Sequence, residues 1–187
     1  MEEAEYQKAY EIAAKNLQAA VQNIPQRLIT KAENFCERIQ VSKGDPLKKL
    51  HVLYDFMNEI YGQANGYIAC RKGCNHCCHY NVVVTELEVQ FIEKNSTIKR
   101  NEKDLTSPDF HGTPCPLLEK GICTIYEARP FACRRRVAMT ESSFWCKPDI
   151  VHDHELPMIH FEEIDKSFDL IVLHSRLIKS ADIREFF

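Results

Sequence analysis

The 187-residue sequence has no long hydrophobic run, no internal repeat and no low-complexity tract. No stretch approaches the roughly 18 consecutive apolar residues that a membrane-spanning helix requires. The first residues are acidic rather than basic, and no apolar segment follows them as it would in a secretory signal peptide. These absences lead us to expect a cytoplasmic protein with no membrane partner.

A strong excess of one charge is also missing. The 24 Lys and Arg residues are opposed by 27 Asp and Glu residues, which gives a net charge of -3. A nucleic-acid partner is therefore not expected, because such proteins usually carry a basic surface. Hydrophobic residues make up 44% of the chain, which is enough for a folded core. The length fits a single domain, 1–187, since single cores rarely extend beyond about 250 residues.

Cysteine, by contrast, is abundant, with nine residues. Cys36 stands alone, on a helix face with Phe35 and Ile39, and we expect it to pack in the core. The other eight fall within 77 residues: Cys70, Cys74, Cys77, Cys78, Cys115, Cys123, Cys133 and Cys146. In a secreted chain this density would indicate disulfides, but in a reducing cytosol it indicates metal ligands or redox groups.

Apolar residues at three- and four-residue steps predict helices on both sides of this cluster. Two helices are expected around Pro25, a third from Asp45-Pro46 to Gly62, and a last one over 161–180. Residues 147–160 have no clear periodicity and are expected to be irregular.

Within the cysteine region, Asn81 to Val84 predicts a short extended piece. Thr85 with Glu88 forms a capping box that should open a helix at 86–95. Residues 115–126 predict a small hairpin that turns at Glu119-Lys120-Gly121.

The expected fold is therefore mainly α, a single helical domain with a Cys-rich metal-binding insertion that contains a small hairpin and little regular strand. It divides into N-terminal helices (1–69), the cysteine cluster (70–146) and a C-terminal loop and helix (147–187). We expect the two terminal phenylalanines to dock on the body of the chain.

The segment Cys74-Asn-His-Cys77-Cys78 is the most informative part of the cluster. Two sulfurs three positions apart can bind one ion from a tight turn, and Gly73 gives that turn backbone freedom. Adjacent side chains diverge, so Cys77 and Cys78 indicate two metal positions or one polynuclear cluster. His76 and His79 could replace a sulfur as ligands, although a supporting role is favoured because enough sulfurs are available.

The charge of the cluster predicts a shell of arginines. Eight thiolates would carry eight negative charges, of which two divalent ions would neutralise only half. Arg129, Arg134, Arg135 and Arg136 surround Cys133 in the sequence and are expected to face the sulfurs. Tyr126 and Trp145 are expected to cover the site. His111, His152, His154 and His160 are expected to face solvent.

These motifs together resemble the CxxCxxCC cysteine-cluster family, also called the YkgJ family or the "putative zinc- or iron-chelating domain". The resemblance extends from Cys70 to Cys146 and rests on Gly73 to Cys78, Val82 to Glu88, Cys115 to Tyr126, and Arg129 to Arg134. One departure is that three residues separate Cys70 from Cys74, where the family's name implies two.

The resemblance implies chelation of zinc or iron, as mononuclear ions or an iron-sulfur cluster, by the eight clustered cysteines. Two alternatives remain. One is an enzyme or enzyme subunit, because some family members carry the domain within flagellin lysine methylases; no glycine-rich nucleotide-binding loop is present to support this. The other is a redox-sensing module that acts on a protein partner.

Overall fold

The computed structural model describes residues 3–101, 105–151 and 155–187. Within these ranges the chain is mainly α with two small antiparallel strand pairs, which confirms the expected fold class. The helices are α1 (Glu3–Asn23), α2 (Gln26–Glu33), α3 (Phe35–Val41), α4 (Pro46–Gly62), α5 (Glu86–Asn95), α6 (Phe131–Arg135), α7 (Pro148–Val151), α8 (Glu162–Ser175) and α9 (Ile183–Phe186). The strands are β1 (Val83–Thr85), β2 (Leu118–Glu119), β3 (Ile122–Cys123) and β4 (Ser180–Asp182). Among the described helices, none is both long and apolar enough to cross a bilayer.

The single helix expected after Pro25 is divided in the structure. It breaks at Asn34 into α2 and α3. The Asn34 side chain donates a 2.7 Å hydrogen bond to the carbonyl of Thr30, a local interaction that competes with helix continuation. The buried face still continues through the break, because Leu28, Phe35 and Ile39 are all buried.

The predicted boundaries of α4 and α5 are confirmed. Asp45 caps α4 by accepting a 3.1 Å hydrogen bond from the backbone N–H of Leu47. Helix α5 begins after a complete capping box, in which Thr85 and Glu88 exchange hydrogen bonds. Both starts depend on bonds between neighbouring residues, which is why the sequence locates them.

Helix α8 packs against α3 and α4. Its residues Ile164 and Ile171 are fully buried. The prediction that this helix extends over 161–180 is wrong at its C-terminal end, since it stops at Ser175 and Arg176 adopts a left-handed φ of 60°. Ile178, expected on the buried face, is 63% exposed.

The residues after α8 form a strand that the sequence did not predict. Strand β4 pairs antiparallel with β1, with Val84 opposite Ala181. Helix α9 then brings Phe186 and Phe187 into the core, where they are 5% and 8% exposed. This confirms that the terminal phenylalanines dock on the chain itself. Buried apolar residues of the N-terminal helices, the cysteine region and the C-terminal segment pack in one cluster.

The segment expected to be irregular contains a short helix, α7 (Pro148–Val151). Residues 155–160 have no regular structure, as expected. Residues 152–154, which include His152 and His154, lie outside the described part of the chain.

Candidate metal centre

The first cysteines follow α4 in a series of tight turns. Cys70 lies beside Ala138, whose backbone N–H donates a 3.2 Å hydrogen bond to the Cys70 sulfur. Gly73 has a φ of 95°, a left-handed conformation that favours glycine, and the Cys74 N–H bonds to the Arg71 carbonyl at 2.9 Å. The positive φ confirms the expected role of Gly73 in this turn.

Cys77 and Cys78 lie in a 3-10 turn over His76–His79. The Cys78 N–H bonds to the Asn75 carbonyl at 3.0 Å. The carbonyl of Cys78 in turn accepts a 2.7 Å hydrogen bond from the N–H of Cys115. This bond joins the first cysteine segment to a residue far along the chain.

Cys123 is held by the predicted hairpin. It lies in β3 directly opposite Leu118 of β2. The turn is made by Lys120 and Gly121, with φ values of 49° and 77°, a left-handed pair that gives the strands a compatible twist. The Asn75 amide donates a 3.3 Å hydrogen bond to the Gly121 carbonyl, so the hairpin is attached to the Cys74–Cys78 turn.

The last two cysteines lie in two different elements that follow the hairpin. Cys133 lies in α6, and Cys146 ends a 3-10 turn over Ser143–Cys146. The Tyr80 hydroxyl donates to the Cys146 carbonyl, which brings this turn against the first cysteine segment. All eight clustered cysteines are half-buried free thiols.

Four of the thiols form what we call the first sulfur group: Cys70, Cys74, Cys77 and Cys146. All four line one cavity of about 430 Å³, which Trp145 and Met158 also border. Burial and the neighbouring charges of Cys70, Cys74 and Cys77 raise the pKa of Cys146 to about 12. Burial also raises the pKa of Cys70, with smaller effects from Cys77 and Cys74. Because charged thiols would repel one another here, the cavity favours a bound cation if they are to ionise together.

The remaining four form the second sulfur group: Cys78, Cys115, Cys123 and Cys133. Burial raises the pKa of Cys133 well above its ordinary value, and the charges of Cys77, Cys115 and Cys123 raise it further. The pKa values of Cys115 and Cys123 are also raised, mainly by burial. The thiols of this group are thus electrostatically linked, as those of the first group are.

The two groups meet at Cys77 and Cys78. A hydrogen bond between these thiols lowers the pKa of Cys77 to about 7, and Arg136 and Arg129 lower it as well. The same hydrogen bond and burial raise the pKa of Cys78. One proton is therefore shared unequally between the two thiols, and Cys77 ionises more readily than Cys78 at neutral pH.

The sulfurs do not converge on one point. Within residues 3–101, 105–151 and 155–187, no three Cys, His, Asp or Glu side chains are arranged so that they could hold a metal ion as they stand. The donor set nevertheless fits zinc or iron chemically, because thiolates are preferred ligands of both and four are available in each group. Binding would require the side chains of a group to turn toward a common centre.

The four arginines expected around the sulfurs separate into two pairs. Arg129 lowers the pKa of Cys70, Cys77, Cys123 and Cys133, and Arg136 lowers that of Cys77 and Cys146. These two therefore act as expected.

The other two arginines have different partners, which corrects the expectation. Arg134 is buried and donates to the Arg129 carbonyl at 2.7 Å, to Asn58 at 2.9 Å and to the Glu127 carbonyl. Arg135 forms a salt bridge with Asp165 at 3.1 Å. Successive helical residues point in directions about 100° apart, so a run of three arginines cannot face one cluster.

The supporting residues that sequence reasoning missed lie in the C-terminal segment. Arg184 donates to the carbonyls of Tyr80 and Cys78, both at 3.1 Å, and to those of Thr113 and Pro114. It also forms a 2.9 Å salt bridge with Asp182, and both side chains are almost fully buried. No sequence signal identified Arg184, because most of its acceptors are backbone carbonyls.

Other residues named from the sequence have varied surroundings. Tyr126 stacks against the Arg129 guanidinium at 4.1 Å, while Trp145 borders the first sulfur group. The expectation for His111 is wrong, since it is half-buried and 2.9 Å from the Pro148 carbonyl. His160 is exposed and lies 3.2 Å from Asp165. Cys36 is half-buried on the face expected for it.

A family model matches part of the chain. Neither the curated proteins nor the solved structures contain a match to the chain. The family match covers residues 69–153, which include all eight clustered cysteines, and thereby confirms the resemblance predicted from the motifs. Residues 69–153 match the model of the CxxCxxCC family, described as a "putative zinc- or iron-chelating domain".

Proposed function

We propose that the chain is a metal-binding protein in which two adjacent groups of four cysteine thiolates chelate zinc or iron. The observation that supports this proposal is the proximity of the clustered thiols: Cys70, Cys74, Cys77 and Cys146 line one cavity, and the charges of Cys77, Cys115 and Cys123 raise the pKa of Cys133. Four sulfurs per group is the number that complete structural zinc sites and iron-sulfur clusters use. Four sulfur ligands would complete the coordination of each ion and leave no open position for a substrate, so the minimum role of the metal is structural.

Binding would also order the centre. Because the thiols do not converge as they stand, part of the binding free energy would be used to turn them toward the ion. Arg129 and Arg136 would offset the negative charge that four thiolates per divalent ion leave behind. Reduced thiols are required throughout, which supports a reducing compartment such as the cytoplasm.

The metal content of freshly prepared, anaerobic protein tests this proposal. Elemental analysis should find two zinc ions per chain, or iron with acid-labile sulfide and visible colour. A colourless, zinc-filled protein with four sulfurs per ion would exclude an electron-transfer role.

Single substitutions test the division into groups. Cys146→Ala should remove the metal of the first sulfur group, and Cys123→Ala that of the second, so each should lower the metal content by about half. Cys36→Ala is the matched control and should keep the full content. Loss of all metal from either variant would indicate one polynuclear cluster instead. If Cys74→Ala, Cys77→Ala and Cys123→Ala all left metal content and folding intact, the chelation proposal would fail.

A further inference from the structure

A second cavity, of about 470 Å³, is lined by residues of α4 and of the cysteine turns, and it shares Cys70, Cys74 and Cys77 with the cavity of the first sulfur group. Its lining includes five cationic side chains and no carboxylate: Arg71, Lys72, Arg129, Arg134 and Arg136. We infer that this cavity binds a small molecule carrying an oxyanion, a carboxylate or a phosphate. Cavities of this size are typical of small-ligand sites, and unopposed cations in a concave site attract anions.

Arg129 provides the most specific observation. Its guanidinium stacks on the Tyr126 ring at 4.1 Å, which fixes its orientation. Its Nε atom is buried and has no hydrogen-bond partner among the described residues. A buried donor without an acceptor costs free energy, which a bound oxyanion would recover. The Nε and one Nη of a guanidinium can bind two oxygens of a carboxylate or phosphate together.

The other cationic side chains of the cavity differ in the hydrogen bonds and aromatic-ring contacts that they already make. Arg134 donates to Asn58 and to two carbonyls, so it contributes mainly charge. Arg136 stacks over Tyr80 at 4.3 Å. Arg71 and Lys72 are exposed at the edge of the cavity, where Lys72 lies 5.7 Å from the centre of the Tyr126 ring. In the part of the chain that the structure describes, none of Arg71, Lys72, Arg129 and Arg136 forms a salt bridge with a carboxylate.

The position of the cavity connects this site to the sulfur groups. Cys70, Cys74, Cys77 and Cys133 form part of its wall. A bound anion would therefore lie beside the metal centre, and this placement rests on the proposed function. Neutralisation of thiolates alone would account for Arg129 and Arg136, which lower thiol pKa values. Neutralisation of thiolates would not require Arg71 and Lys72 at the cavity edge. Substitution of these two residues therefore distinguishes anion binding from thiolate neutralisation.

Calorimetric titration of the metal-loaded protein with inorganic phosphate, and separately with acetate, tests the inference. Chloride should be used to keep the ionic strength constant, since screening weakens any charged contact. We expect saturable binding of phosphate, of acetate or of both. The anion that binds identifies the chemical group that the cavity recognises. Arg129→Gln should weaken binding at least about tenfold, the effect of losing a charged hydrogen bond.

Because Arg129 also faces the thiols, the decisive variant is Arg71→Gln/Lys72→Gln. It should weaken anion binding about threefold or more with unchanged metal content. Lys94→Gln, an exposed cation that does not line the cavity, is the matched control and should bind as the wild type does. Metal-loaded protein that binds neither anion saturably, or equal weakening in the double variant and in Lys94→Gln, would overturn the inference. Wild-type protein without metal would refute the proposed function instead, and its anion titration could still be measured.

Discussion

The guanidinium of Arg184 donates a 3.1 Å hydrogen bond to the carbonyl oxygen of Cys78, a residue 106 positions earlier in the chain. The same guanidinium bonds to Thr113 and Pro114, which directly precede Cys115. Arg184 therefore attaches the C-terminal segment to the two backbone segments that carry Cys78 and Cys115. The C-terminal segment is part of the support of the candidate metal centre, although it contains no cysteine.

Arg184→Ala should lower the free energy of unfolding by about 3 to 5 kcal/mol, because it leaves Asp182 buried without its cation and several carbonyls without a donor. Arg184→Lys keeps the charge but loses the planar fork of donors, so its cost should be smaller. Urea denaturation would measure both. Lys94→Ala, at an exposed position, is the control, and an Arg184→Ala cost as small as that of the control would contradict the anchoring role.

Residues that act on near neighbours could be identified from the sequence. The capping box of Thr85 and Glu88 fixes the start of α5 within a few residues, and Lys120-Gly121 has the left-handed conformation that its turn requires. The cysteine spacing similarly predicts a ligand set, because metal-binding turns are local structures, and this set stays a prediction.

Features that depend on distant pairing could not be identified in this way. The stretch before Ile178 continues the helical periodicity of α8, yet residues 180–182 pair with β1, about 100 residues earlier. The acceptors of Arg184 are mostly carbonyl groups, which every residue has, so its role leaves no pattern. Likewise, the direction in which Arg134 points is decided by Tyr54 and Asn58 on α4 rather than by its neighbours.

The packing of α8 on α3 and α4 gives a prediction on stability. Ile171→Ala should lower the free energy of unfolding by about 2 to 5 kcal/mol, since Ile171 is fully buried and its removal leaves a cavity. Leu173→Ala, two residues away and 66% exposed, should change it by less than about 0.5 kcal/mol. Chemical denaturation of the two variants measures the difference, and equal effects would show that α8 is not docked by this face.

Glu88 gives a prediction on pH dependence. Its carboxylate accepts hydrogen bonds from Tyr54 and from the backbone of Phe131, both at 2.8 Å. Burial nevertheless raises the pKa of Glu88 above its ordinary value of 4.5. The folded state thus favours the protonated form, so the contribution of Glu88 to stability is present below pH 4.5 and is lost as pH rises through the folded pKa.

The difference in unfolding free energy between the wild type and Glu88→Gln should therefore fall as pH rises, by at most about 1.4 kcal/mol per pH unit. Urea denaturation over a pH series measures it. Glu93→Gln should show the opposite trend, because hydrogen bonds from Arg100 lower the pKa of Glu93 and its contribution is lost as pH falls. A difference for Glu88→Gln that is constant with pH, or that rises with it, would contradict the assignment.

Metal removal should destabilise the protein in a way that depends on the clustered cysteines and not on Cys36. A ligand present at about a hundredfold excess over its dissociation constant adds about 2.7 kcal/mol to the stability of the folded state. Thermal unfolding of chelator-treated protein should therefore occur at a temperature several degrees lower than that of the loaded protein.

Cys36→Ala should show the same shift on chelation as the wild type, because this half-buried thiol lies on α3, outside both sulfur groups. Cys77→Ala should show a smaller shift than the wild type, because it removes a ligand of the first sulfur group and leaves the second group able to bind metal. If protein proven free of metal unfolded at the same temperature as loaded protein, the metal would have no structural role, and its function would have to lie in chemistry at the centre instead.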